Sequence, residues 1–130
     1  HCRAALGLGA RLARASGARL NIIYVNDPLL AAAAVVTYDE QAMARQTGEE
    51  LRAFLSAAAG PEPLPGGVHV ELAEGQPAEQ IVSAAERLGA DVIVMSTQGV
   101  TGARTMFFGS TTEGVLKHAR IPVLVVPPSA

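Results

Sequence analysis

The sequence predicts an α/β domain: an open parallel sheet with helices on both faces. Three observations carry this. Helical and strand-like stretches alternate along the whole chain. Two of the strands, Val92-Ile-Val-Met95 and Val123-Leu-Val-Val126, are short uninterrupted apolar runs, the pattern of strands buried on both faces. Glycine or proline punctuates nearly every junction. Alternation of this kind means parallel strands joined by right-handed helical crossovers.

Taken in order, His1 to Gly17 reads as a helix. Ala5, Leu6, Leu8, Gly9, Leu12, Ala13 and Ser16 make its small and apolar side, with Arg3, Arg11 and Arg14 elsewhere. Gly17 is its stop. Leu20 to Val25 is a strand, ended by Asn26-Asp27-Pro28. Leu29 to Thr37 reads as a loop or helix start, and Tyr38 to Ala59 as a long helix. Gly60 to Gly67 holds three prolines and is a loop. Val68-His-Val-Glu-Leu72 alternates with period two, as an edge strand with one wet face does, which places His69 in solvent. Pro77 suits a first helical position; Ala78 to Leu88 follows as a helix, and Gly89 stops it.

The stretch from Asp91 to Pro127 is the most informative. After the strand come Ser96-Thr-Gln-Gly-Val-Thr-Gly-Ala103 and then Gly109-Ser-Thr-Thr-Glu113. Ser110 reads as an N-cap, with Glu113 completing a capping box. The helix runs to about His118, and Pro122 opens the last strand. A glycine-bearing loop leaving the carboxyl end of a parallel strand is where ligands of open α/β sheets bind. A helix N-terminus beside it favours phosphate. The bland alternative is that Gly99 and Gly102 are turn glycines and Ser110 only a cap. Neither G-x-x-x-x-G-K-[ST] nor G-x-G-x-x-G is present.

Composition narrows the choices. At 130 residues the chain is one domain, residues 1–130, and 49% hydrophobic content supplies a core. A net charge of −2 gives no footprint for nucleic acid or an anionic membrane. No apolar run approaches the roughly 20 residues that span a bilayer. The single cysteine, Cys2, has no internal partner, and no signal-peptide pattern is seen, so the cytoplasm is expected. His1, His69 and His118 are scattered, with no metal-ligand spacing and no G-x-S-x-G elbow.

The segment Met95 to Ser110, with the terminal Pro-Val-Leu-Val-Val-Pro, resembles the universal stress protein family. That family carries G-x2-G-x9-G-[ST] before its last helix, and many members bind ATP there. Here Gly99 matches the second glycine, and Gly109-Ser110 follows nine residues later; Ser96 stands where the first glycine would be. The resemblance implies a Rossmann-like sheet of the adenine-nucleotide alpha-hydrolase type, in the order 3-2-1-4-5. It implies ATP, with or without Mg2+, as the ligand. The residues that would bind it are Val25, Met95, Ser96, Gly99, Arg104, Gly109, Ser110 and Thr111. Val25 and Met95 would line the adenine and ribose pocket. Arg104, the one cation of the loop, would contact phosphate or lie in solvent. The activity implied is nucleotide-dependent signalling in a stress response, with at most slow hydrolysis. The alternative is a homologue that does not bind nucleotide and acts as a protein-interaction module, which Ser96 favours. Related proteins dimerise through the last strand, so a homodimer through Val123 to Val126 is expected. The family's first strand and its Asp-bearing loop precede the first helix, and both are absent from the 130 residues. The strands on either side of its place are therefore expected to stand about 9–10 Å apart with their facing edges unpartnered, so these 130 residues are expected not to be the whole folded unit.

Overall fold

The computed structural model describes residues 3–26, 49, 52–53, 55–57, 60, 63–97 and 109–127. The described elements are α1 (Arg3–Ser16), β1 (Leu20–Asn26), β2 (Val68–Glu74), α2 (Pro77–Arg87), β3 (Ile93–Ser96), α3 (Ser110–His118) and β4 (Val123–Val126). The expected helix over Tyr38 to Ala59 falls largely outside these residues.

Every strand pair is parallel. β1 pairs with β2 from Leu20 opposite Val68 to Asn26 opposite Glu74. β3 pairs with β4 from Ile93 opposite Val123 to Ser96 opposite Val126. These are two separate two-stranded ladders; among the described residues no backbone ladder joins β1 to β3. The pairings are those of the 3-2-1-4-5 order with its central member left out. Asn21 on β1 has a buried Oδ1 with no hydrogen-bond partner among the described residues, which is uncommon for a buried acceptor.

Helices hold the ladders together. α1 lies on β3 and also touches β1 and β4. Its buried face is Ala5, Gly9, Ala10 and Ala13, spaced for one helical stripe. Residues this small let the helix axis approach the strands closely. Ala10 is fully buried, whereas Leu12, read as apolar-side from sequence, is 40% exposed. α2 packs on β1 and β2 and on α3.

Local chemistry sets the ends. Gly17 and Gly89 take φ of 72° and 65° just past α1 and α2, the left-handed turn that glycine adopts without cost. The turns close with Ala18 N–H donating to Ala13 O at 3.1 Å and Ala90 N–H to Ala85 O at 2.9 Å. α2 starts on Pro77, as expected, and the Gln76 side chain caps it by accepting from Glu79 N–H at 2.7 Å.

β2 departs from the expected wet-face pattern. His69 and Glu71 are half-buried, while Val68 and Leu72 are 41% and 39% exposed. Arg87 of α2 reaches Glu71 and donates to Oε2, and His69 Nε2 lies 3.6 Å from Oε1. An exposed ion pair with α2 thus gives the polar side of the strand its partners.

α2 and α3 approach most closely at Gly114. A Cβ there would sit 2.6 Å from the Ala78 Cβ, and Ala78 is buried on a rigid helix. Overpacking of this kind costs about 1–3 kcal/mol, against roughly 1 kcal/mol that alanine gains over glycine within a helix. Gly114→Ala is therefore expected to destabilise, lowering the thermal midpoint by about 3–6 °C. Adding Ala78→Gly should recover most of the loss in a double-mutant cycle.

Arg87 donating to the Glu71 carboxylate holds that group below the ordinary glutamate range; burial opposes this, and His69 adds to it. Ionised Glu71 then favours folding. The contribution is full above the ordinary glutamate value and is lost as pH falls through the lower folded value. Urea unfolding at descending pH should show Glu71→Gln flattening this acid limb, by less than about 1 kcal/mol for so solvent-accessible a pair.

Candidate functional site

The candidate site lies at the carboxyl end of β3, where α3 begins. Ser96 is the last residue of β3, opposite Val126, rather than the first residue of the loop. The ladder continues one step, with Thr97 N–H donating to Val126 O at 3.1 Å. Met95 precedes it, half-buried and opposite Val125.

The start of α3 differs from the capping box expected on sequence. The N-cap is Gly109, in an extended conformation with φ −67° and ψ 169°, and no side chain caps it. Ser110 is the first helical residue and is exposed. The first bond of the helix is Glu113 N–H to Gly109 O at 3.0 Å. The amides of Ser110, Thr111 and Thr112 lie ahead of that bond and have no backbone acceptor within the helix. A side-chain cap would have taken one of them; its absence among the described residues leaves the set open to an anion. Lys117 and His118 occupy the last turn, complementing the dipole at its other end.

One contact fixes the helix start to the strand end. The Thr112 hydroxyl donates to Ser96 O at 3.4 Å. Thr112 is 2% exposed, and Thr97 beside the strand end is 5% exposed. These two are the buried polar residues among those described. Val115, one turn beyond Thr112 on the same side, is fully buried and anchors the helix. Sequence reasoning named Thr111 and passed over Thr112. The three-residue spacing from Thr112 to Val115 was the signal that could have found it.

The structure therefore brings Met95, Ser96, Gly109, Ser110 and Thr111 into one neighbourhood around Thr112. Val25 sits near the carboxyl end of β1, half-buried and opposite Ala73, in the other ladder. Gly99 and Arg104 lie outside the described residues. Among the described residues no group of His, Cys, Asp and Glu could hold a metal ion, and no helix is long and apolar enough to cross a membrane.

Comparison with known proteins follows the same line. A profile of the Universal stress protein family matches residues 1–127. A universal stress protein encoded 3′ of a QAH/OAS sulfhydrylase in Thermus aquaticus is 32% identical over 127 residues, covering 97% of this chain and 90% of that protein. Universal stress protein MJ0531 of Methanocaldococcus jannaschii is 51% identical over 59 residues, covering 45% of this chain but only 35% of that protein. A solved universal stress protein in complex with cAMP superposes with a TM-score of 0.65 at 21% identity, covering 98% of this chain and 88% of that one. By profile, sequence and fold together, the chain belongs to the universal stress protein family.

Proposed function

We propose that the chain binds an adenine nucleotide, with ATP as the principal ligand, and signals through the conformation that the nucleotide stabilises. The observation that carries this is the uncapped first turn of α3, held by Thr112 against the end of β3. Three amides and the positive end of a helix dipole would face the phosphates there. Met95 and Ser96, with Val25 from β1, would meet the base and ribose. Gly99, Gly109, Ser110 and Thr111 would offer backbone to the phosphates, and Arg104 would add a charge-assisted contact. Mg2+ would enter with the nucleotide. A relative of the same fold carries cAMP, which supports the adenine-nucleotide class. Hydrolysis would be slow at most, since the loop sequence Ser96 to Ala103 offers no obvious general base to orient water. The cytoplasm is the compartment that this reading assigns.

Ser96 favours a second reading. Its side chain stands where the family pattern has glycine, narrowing the approach to the backbone. The chain would then serve as a protein-interaction module without nucleotide. Calorimetric titration of ATP into the protein and into Gly109→Leu separates the two. Saturable binding, weakened about tenfold or more by the bulky residue, is the expected result. No heat of binding in either protein would favour the interaction module.

β4 is the last strand of its ladder, with Leu124 41% exposed and its outer edge unpaired among the described residues. An apolar edge of this kind pairs readily with another, and the same proposal makes the protein a homodimer through Val123 to Val126. Sedimentation should report a dimer at micromolar concentration, and Val125→Pro should give a monomer, since proline removes an edge donor. A monomer in the unmodified protein would refute the dimer.

A further inference from the structure

A polar cluster on the β1–β2 ladder takes no part in the nucleotide reading. The parallel register sets Asn21 beside His69, so their side chains leave the same face of neighbouring strands about 4.8 Å apart. Glu71, two residues beyond His69, shares that face. Two acceptors thus flank the imidazole, and neither is hydrogen-bonded by it. His69 Nε2 stands 3.6 Å from Glu71 Oε1, longer than a hydrogen bond. Asn21 Oδ1 is buried and has no hydrogen-bond partner among the described residues. The second Glu71 oxygen, Oε2, is already taken by Arg87. A neutral imidazole carries one N–H and serves one acceptor; an imidazolium carries two and serves both.

We infer that protonation of His69 closes a clasp across the ladder: Nε2–H donates to Glu71 Oε1, Nδ1–H donates to Asn21 Oδ1, and β1, β2 and, through Arg87, α2 are tied together. The charges around the ring allow it. β1 and α2 are the elements packed against β2. β1 brings no charged residue to this face, and Arg19 just ahead of it is exposed. α2 brings Arg87, whose charge Glu71 matches; Glu86 of the same helix turns to Arg120 instead, and Glu79 lies in its first turn, at the other end from Arg87. The folded chain gives the protonated ring two hydrogen bonds that the unfolded chain lacks. The clasp therefore adds stability on the acid side of the histidine range and is lost as pH rises through it. Glu71, held below the ordinary glutamate range, stays ionised over that interval. The His69 side chain is 35% exposed, so water screens the gain to a severalfold effect.

Urea unfolding of the full chain at pH 7.5 and pH 5.5 tests this. Between the two, the unfolding constant of the unmodified chain should fall about fivefold further than that of His69→Gln, a comparison that also subtracts any contribution of His118. Asn21→Ala should shrink the fivefold difference to about twofold, the share left to the Glu71 contact alone. Nitrogen-15 spectra of the imidazole at pH 5.5 should show both ring N–H protons of His69, with Nδ1–H lost to solvent exchange in Asn21→Ala. Equal pH dependence in the unmodified chain and His69→Gln overturns the inference. So does an undiminished effect in Asn21→Ala, which leaves a plain His69–Glu71 ion pair. A single protected ring N–H in the unmodified chain at pH 5.5 overturns it too, and that result needs neither variant to fold.

Discussion

Every buried backbone N–H and C=O needs a partner, and among the described residues β3 draws its strand partners from one side only. β4 supplies the whole ladder, extended by Ile93 N–H to Pro122 O at one end and Thr97 N–H to Val126 O at the other. The carbonyl of Ser96 then takes the Thr112 hydroxyl. The position of α3 follows from this. Its first turn is tied to the strand terminus, Val115 seals its underside, and Gly114 lets α2 come close enough to brace it. The free amides of the first turn are thus placed by a strand, a hydroxyl and a helix–helix contact rather than by a cap.

The rest of the packing is economical in side-chain size. The buried apolar residues among those described are five alanines and one valine. Small residues contribute little area each but permit close helix–strand approach, so backbone geometry counts for more here than bulky interlocking. Larger apolar side chains such as Tyr24, Val68 and Leu72 stand partly in solvent on one face of the β1–β2 ladder.

Much of the fold was legible in the residues. β-branched runs marked the strands, Gly17 and Gly89 marked two helix ends, and Pro77 marked a helix start, because each reports a local backbone requirement. What escaped the sequence depends on partners distant along the chain. Glu71 looks like a solvent residue until Arg87, sixteen positions later, is folded over it. Ala10 looks no more buried than Leu12 until β3 is laid beneath it. Ser110 and Glu113 have the spacing of a capping box, yet Gly109 takes the cap position and Ser110 enters the helix. That Met95, Ser96 and Gly109 to Thr111 lie in one neighbourhood was legible, because each stands at the end of one strand or the start of the next helix. Thr112 was missed because its role is to hold two elements together, and pattern alone assigns such a residue to neither.

The bond between Thr112 and Ser96 makes the helix start a lever on the strand end. A hydroxyl held by the last carbonyl of β3 moves with it, so tilting the first turn of α3 would pull on that strand. Gly114, where α3 rests against α2, would carry the same tilt into a second helix.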